Sequence, residues 1–244
     1  MALLGMAGIA ACVPASEKLP ARGAAGFDTV PSAATSGEPF TTSDGWTVRV
    51  DKLVIQTSVA ASLPNHNYGT SIPYVFDAQK PASVYARALP VGTVTVSLAL
   101  YGRYISTDGD YRDRVVTINV DDETNERFNR LPDEGEDSGY TPGPSVILAA
   151  HAERDGRVVT VDMALNVTSS SPRTFDEAFG IPVEVREDAL STIELPIDAA
   201  LFFPAFDDIA ASDADGDGAV TAIELEASKA LTTLEQRIAA ALVR

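Results

Sequence analysis

Two apolar runs of the same period, joined by a two-residue turn signal, constrain the fold of this chain most. Every second residue is apolar over 146–152 and again over 159–167, a period typical of strands that bury one face. Asp155-Gly156 lies between the runs. A two-residue hairpin turn needs φ > 0 at its centre, which glycine and aspartate accept more readily than most residues. The segment therefore predicts an antiparallel β-hairpin.

Further apolar runs extend this pattern over most of the chain. They predict strands over 46–59, 83–88, 94–100, 116–120, 182–186 and 192–196. Ser171-Pro172 and Gly180 bracket a short helix predicted over 173–179. Strands do not alternate with helices, so a parallel sheet is not expected. About seven or eight short strands predict a mainly β fold, an antiparallel β-sandwich over residues 40–200.

Near the carboxyl end, residues 213–224 read DADGDGAVTAIE and bring four carboxylates into one short segment. Carboxylates this close repel one another unless a cation lies between them, and a hard divalent ion takes about six to eight oxygens. Gly218 stands where the chain must turn sharply, which glycine does without a Cβ clash. We therefore expect a divalent-cation site. Its candidate ligands are Asp213, Asp215, Asp217 and Glu224.

This segment resembles the calcium loop of the EF-hand family, and the resemblance extends over about residues 204–243. It implies Ca²⁺ as the ion. Ala219 would contribute its backbone carbonyl, Thr221 its hydroxyl or a bridging water, and Glu224 both carboxylate oxygens, a contact that favours calcium over magnesium. Thr221 and Glu224 also have the spacing of a capping box, so the exiting helix is expected to begin here.

Apolar residues on both sides of the loop predict helices. Before the loop, Pro204 suits a first helical turn, and the apolar face consists of Phe206, Ile209 and Ala210. After the loop, one continuous stripe is expected from Ile223, Ala227, Leu231, Leu234, Ile238 and Leu242. The sequence contains no second loop of this kind with which the helices would pair. We expect their apolar faces to pack on the sandwich, the alternative being a homodimer.

The N-terminal segment indicates export. Met1–Ala11 is short and apolar, and Ile9-Ala10-Ala11-Cys12 resembles the lipobox of bacterial lipoproteins, in which the cysteine is lipidated and becomes the mature N-terminus. The usual Lys or Arg before the apolar run is missing, and the alternative is an incidental cysteine in a frayed terminus. The expected organisation is a signal-like segment (1–12), a flexible tether (13–39), the sandwich (40–200) and a helix–loop–helix unit (201–244).

Composition and motifs exclude several function classes. The net charge of −17 argues against nucleic-acid binding, because a phosphate backbone would be repelled. The sequence has no G-x-S-x-G, H-E-x-x-H or phosphate-binding glycine-rich motif, so we do not expect an enzyme. His66 and His151 lie far apart and form no zinc signature. Residues 121–137 are acidic and are expected to form a solvated loop, the alternative being a second, looser cation site.

Two functions fit these expectations. The first is a non-catalytic calcium-binding lipoprotein of the bacterial cell envelope, periplasmic or surface-exposed, whose sandwich binds an envelope protein or glycan or acts as a scaffold. A weak resemblance of residues 75–104 to prealbumin-like domains of bacterial surface proteins agrees with it. The second is a secreted carbohydrate- or ligand-binding module, or a carbohydrate-active one, in which calcium stabilises the C-terminal segment. Its candidate aromatic platform is formed by Trp46, Tyr101, Tyr104 and Tyr111. A cytosolic calcium sensor is the third alternative.

Overall fold

The computed structural model describes residues 21–62, 72–100, 104–105, 115–129, 141–142, 144–167 and 180–242. Features expected at Cys12, His66, Tyr101, Tyr111 and 173–179 lie outside these ranges. The strands are β1 (Arg22–Pro31), β2 (Phe40–Thr41), β3 (Thr47–Ser62), β4 (Ile72–Asp77), β5 (Ala82–Pro90), β6 (Gly92–Leu100), β7 (Tyr104–Ile105), β8 (Val116–Ile118), β9 (Thr141–Pro142), β10 (Val146–Arg154), β11 (Arg157–Leu165), β12 (Ile181–Val185), β13 (Leu190–Ile197) and β14 (Ala219–Val220). The helices are α1 (Asp122–Asn129), a 3-10 turn (Ala199–Leu201), α2 (Asp207–Ala210), α3 (Ala222–Ser228) and α4 (Ala230–Leu242).

These strands form two main sheets, so the prediction of a mainly β fold is confirmed. The smaller sheet has the order β13-β1-β5, and the larger follows β12-β6-β3-β10-β11-β14. Strands β2 and β4 also pair with β3, and β8 pairs with β4. The long β3 can serve several partners because its first half pairs with β2 and β10, whereas its second half pairs with β4 and β6.

The two sheets pack against each other over a shared apolar core. Phe27 of β1 and Val84 of β5 belong to the same buried cluster as Val50, Val96 and Leu148 of the larger sheet. Residues at every second position of β11 enter this cluster, which is the period-two pattern read from the sequence. Burial of one face of each sheet against the other is what stabilises a sandwich.

The predicted hairpin is present. Strands β10 and β11 pair in antiparallel register from Val146 opposite Leu165 to Arg154 opposite Arg157. Asp155 and Gly156 both have positive φ, at 52° and 78°. The turn therefore has the left-handed backbone that two-residue hairpins require.

The first strand lies where a tether was expected, so that expectation is wrong for residues 22–31. The glycines of β1 suggest a flexible segment in the sequence. In the structure, glycine lies where the backbone of a neighbouring strand comes close. A Cβ on Gly26 would lie 2.1 Å from the carbonyl oxygen of Val84. Glycine is required there for packing, although its abundance reads as flexibility in a sequence.

Parallel pairing is a second departure from the antiparallel fold that was expected. Strand β1 runs parallel to β13, β4 to β8, and β11 to β14, whereas the other strand pairs of the described residues are antiparallel. These three pairs join strands that are far apart in the chain, so no helix needs to connect them directly. Local sequence patterns therefore carry no signal for them.

Part of the acidic segment 121–137 is helical, which corrects the expectation of a loop. Asp121 accepts a hydrogen bond from the backbone N–H of Thr124 at 2.7 Å, as a helix-capping aspartate does. Phe128 is buried against Val54, Val75 and Ile147 in a second small core. The cap, the buried ring and an ion pair between Arg127 and Asp162 hold α1 on the larger sheet. Residues 130–137 lie outside the described ranges.

None of the helices in the described ranges is long and apolar enough to cross a membrane.

Candidate metal centre

The helical unit at the carboxyl end shares its core with the sandwich. Phe206 lies with its ring centroid 5.5 Å from that of Trp46 and 5.6 Å from that of Phe203. Leu234 of α4 and Leu225 of α3 are buried in the same cluster as the strands. The prediction that the helices pack on the sandwich is therefore confirmed.

The helices themselves are shorter than expected. Only Asp207–Ala210 is α-helical before the loop, and Pro204 precedes it rather than lying in its first turn. After the loop, Lys229 adopts φ +64° and separates α3 from α4. This break shifts the helical phase, so the single stripe predicted from Ile223 and Ala227 is wrong over α3. Ile223 is 78% exposed and Ala227 is also exposed, whereas Leu225 is buried.

Strand β11 of the sandwich holds the backbone of the loop. Ala219 and Val220 form β14, which pairs in parallel with Thr160 and Val161. The carbonyl oxygen of Gly218 accepts hydrogen bonds from the backbone N–H of Thr160 at 2.7 Å and from its hydroxyl at 3.1 Å. Gly218 has φ +84°, which a side chain would strain. The sandwich thus supplies the strand partner that this loop lacks elsewhere in the described chain.

Three of the predicted ligands converge. Asp213, Asp215 and Glu224 each place one carboxylate oxygen within 4.8 Å of the others. The side chain of Asp213 is 2% exposed, and its Oδ1 is buried without a hydrogen-bond partner. A buried carboxylate oxygen without a partner is costly to hold in a protein. A cation bound among the three carboxylates would satisfy it.

Glu224 is held at the start of α3 by the predicted capping box. Its Oε2 accepts hydrogen bonds from the backbone N–H and the hydroxyl of Thr221, both at 2.8 Å, and its Oε1 accepts one from the N–H of Ala214 at 3.1 Å. The backbone and side chain of Thr221, followed by the N–H of Ala214, lower the pKa of Glu224. The glutamate is therefore ionised and aimed back across the loop at neutral pH.

The other predicted ligands lie at the edge of the cluster. Oδ1 of Asp217 accepts a hydrogen bond from the backbone N–H of Ala219 at 2.7 Å, and the three-carboxylate group does not include Asp217. Asp217, Ala219 and Thr221 are all exposed. A role for them needs a ligand set larger than the three carboxylates that already face one another.

Arg157 contacts the loop from the sandwich, and the sequence did not single it out. Its Nη2 lies 3.2 Å from Oδ2 of Asp213 and donates to the carbonyl oxygen of Ala210 at 2.8 Å. The guanidinium also lies over the ring of Trp46, 5.9 Å from its centroid. Arg157 follows the hairpin turn, and only the tertiary fold brings that turn to the loop. The basic residues that flank the turn in a strongly acidic chain were the available signal.

A second set of contacts holds α2. Arg154 pairs with Asp207 at 2.7 Å, and the indole N–H of Trp46 donates to the same carboxylate at 2.9 Å. Oδ2 of Asp44 accepts hydrogen bonds from the backbone N–H groups of Phe206 and Asp207, both at 2.7 Å. Burial alone would raise the pKa of Asp44, but hydrogen bonds from Thr42 and from these two N–H groups lower it.

Trp46 and His151, two further candidate site residues, both lie outside the metal centre. Trp46 is 1% exposed, so it does not belong to an exposed carbohydrate platform, and that expectation is wrong for this residue. His151 lies on β10, as predicted, with Nδ1 2.8 Å from Oδ2 of Asp51. The group of candidate metal ligands found in the described ranges contains no histidine.

No protein-family model, curated protein or solved structure matches this chain. The class of the molecule is therefore defined by its own geometry, as a mainly β protein with a helical unit and an acidic loop docked on one sheet.

Proposed function

We propose that this chain binds a calcium ion in the loop 213–224, and that the ion fastens the helical unit to the β-sandwich. The observation that carries the proposal is Asp213. Its side chain is almost fully buried, one of its oxygens lacks a partner, and the carboxylates of Asp215 and Glu224 face it. An acidic cluster alone is common on protein surfaces, but a cluster that includes a buried carboxylate with an unpartnered oxygen is not.

The donor set favours a hard cation. The converging atoms are carboxylate oxygens, which suit calcium or magnesium better than a soft transition metal. Glu224 presents both oxygens toward the loop, and further oxygens are available from Asp217, Thr221 and the backbone of Ala219. Calcium takes more ligands at looser geometry than magnesium, which demands a near-ideal octahedron. The EF-hand resemblance of the loop supports the same ion.

A structural role fits better than a switching role. The loop is hydrogen-bonded to β11 and the flanking helices share the sandwich core, so few groups remain free to rearrange on binding. Extracellular calcium-binding modules have dissociation constants of roughly 10⁻⁴–10⁻³ M. For an exported protein, we expect the ambient calcium concentration to equal or exceed such a dissociation constant. At about ten times the dissociation constant, the ion stabilises the fold by roughly 1.4 kcal/mol.

Calorimetric titration and thermal unfolding test the proposal. Wild-type protein is stripped with a chelator and titrated with calcium, then with magnesium, near neutral pH. We expect heat and a thermal shift with millimolar calcium, a weaker response to magnesium, and neither in Glu224→Gln. Glu226→Gln, an exposed neighbour on α3, removes the same charge outside the loop and should bind as wild type. No heat and no shift in the wild-type protein would end the proposal.

We further propose that the protein is a non-catalytic envelope lipoprotein anchored through Cys12, with the sandwich as its binding or scaffold module. The lipobox-like residues that end at Cys12 support this setting. More than one acyl chain is needed for stable attachment, which lipidation of an N-terminal cysteine provides. Metabolic labelling with a fatty acid tests it in a bacterial host. Label that persists in Cys12→Ser, or is missing from the wild-type protein, would contradict the anchor.

A further inference from the structure

Arg157 and Asp213 form an ion pair between the sandwich and the proposed metal loop. The arginine side chain is half exposed, whereas the aspartate side chain is 2% exposed. Arg157 is therefore a half-exposed charged group that contacts Oδ2 of a buried carboxylate, whereas Oδ1 of the same carboxylate has no partner. Its second hydrogen bond, to the carbonyl of Ala210, anchors the guanidinium to the residue that ends α2.

The pair has a consequence for the ion-free protein. A buried carboxylate without a counter-charge is strongly destabilising, so Asp213 needs a cation nearby in every state of the folded protein. Among the described residues, the ion pair of Asp213 is with Arg157. Arg157 therefore supplies the positive charge when calcium is absent, and it lies beside the same carboxylate when calcium arrives.

We propose that Arg157 sets the calcium affinity of the site by acting as its built-in competing cation, an inference that rests on the proposed calcium function. The guanidinium stabilises the ion-free loop by pairing with Asp213 and repels a divalent ion bound to that carboxylate. A group that stabilises the free state more than the bound state weakens binding by the same ratio. Arg157 thus holds the loop against the sandwich when calcium is absent, and it lowers the affinity of the loop for calcium.

Charge-neutral variants test the direction of this effect. Arg157→Met and Arg157→Gln are each expected to bind calcium about three- to tenfold more tightly than wild type, as expected for loss of one nearby positive charge at a partly exposed site. Both should melt at a lower temperature in chelator and gain a larger thermal shift with calcium. Arg157→Lys keeps the charge and should stay within about twofold of wild type. The glutamine variant retains a donor, so the charge is still measured if the methionine variant fails to fold.

Arg127→Met is the matched control. Arg127 pairs with Asp162 of β11 at 2.9 Å, outside the loop, so its loss removes an equal charge and a similar ion pair. We expect wild-type calcium affinity from it. A higher salt concentration should also reduce the difference in calcium affinity between Arg157→Met and wild type, because screening weakens a charge effect but not a purely steric one.

The possible outcomes distinguish a failure of this inference from a failure of the proposed calcium function on which it rests. If wild type binds calcium and both neutral Arg157 variants bind equally or more weakly, Arg157 does not compete and the inference is overturned while the calcium function stands. If Arg127→Met tightens binding as much as they do, the effect is one of general charge and the inference is likewise overturned. Absence of binding in wild type and in every variant would remove the calcium function, and this inference with it.

Discussion

At the scale of single residues, burial separates carboxylates that look equivalent in the sequence. Asp213 and Asp215 both precede the two glycines of the loop, yet the side chain of Asp213 is 2% exposed whereas Asp215 is an exposed residue. The buried oxygen of Asp213 lacks a partner, and water cannot easily replace it as a ligand. An exposed ligand among several is replaced by water at smaller cost.

The two aspartates should therefore respond differently to substitution. Asp213→Ala and Glu224→Ala are expected to abolish calcium binding at millimolar concentrations, whereas Asp215→Ala weakens it less. Calorimetric titration of the three variants gives the order directly. Equal loss in Asp213→Ala and Asp215→Ala would show that burial does not distinguish them.

Gly218 and Gly216 provide a second contrast between residues of the same type. Both have positive φ, but a Cβ on Gly218 would lie 3.1 Å from the carbonyl oxygen of Val158, whereas nothing lies within 4 Å of one on Gly216. Gly216→Ala carries the strain of a left-handed backbone, about 1 kcal/mol, and Gly218→Ala adds crowding against β11. Urea unfolding should show a loss of about 1–3 kcal/mol for Gly218→Ala and a smaller one for Gly216→Ala.

At the scale of elements, a four-residue helix is held by a cap from another part of the chain. Asp44, in the turn between β2 and β3, accepts both N–H groups that open α2, although Phe206 itself has no capping side chain. A helix this short is not stable by itself, because the free-energy cost of helix nucleation exceeds the stabilisation that a single turn provides. Its position beside the loop therefore depends on Asp44 and on the aromatic contacts of Phe206.

The cap predicts a dependence on pH. The pKa of Asp44 is lower in the folded protein than its ordinary value of 3.8, so the ionised form contributes stability above about pH 4. That contribution is lost as the pH falls through the lowered folded value. We expect Asp44→Ala to lower the free energy of unfolding by roughly 0.5–2 kcal/mol near pH 7, and the difference from wild type to become smaller below pH 4. Urea unfolding at several pH values measures this. Glu38→Gln, an exposed surface change, should show no comparable narrowing.

At the scale of the whole molecule, the sandwich and the helical unit share one core. Trp46, which is the single tryptophan of the chain, contacts Phe206 and Asp207 of the helical unit and directly precedes β3 of the larger sheet. Residues that share a continuous core unfold together in most small proteins. The sequence pattern therefore changes at the expected boundary, residue 201, but the hydrophobic core continues across it.

This shared core predicts a single thermal transition. Tryptophan fluorescence and circular dichroism should report the same midpoint, and calcium at about ten times its dissociation constant should raise both by roughly 3–6 °C. A calcium shift confined to the fluorescence signal, or two separate transitions, would show that the helical unit unfolds by itself.

Much of the architecture was predictable because it rests on local patterns. Period-two alternation indicated most strands, and the turn signal at Asp155-Gly156 indicated the central hairpin. The acidic loop and its capping box at Thr221 and Glu224 were also readable, since their geometry is decided by neighbours within twelve residues. Strand β1 was not predictable, because Gly26 allows a close approach to β5 that no local pattern records.

The sequence by itself determined the alternating strands and the cluster of carboxylates, because both follow from the spacing of side chains along a short segment. The tertiary structure decided which carboxylate is buried, which strand holds the loop, and that Arg157 reaches Asp213 across 56 residues of chain. Burial and ion pairing depend on what packs alongside from distant parts of the chain. These three outcomes were therefore settled only when β11 and the helical unit came together.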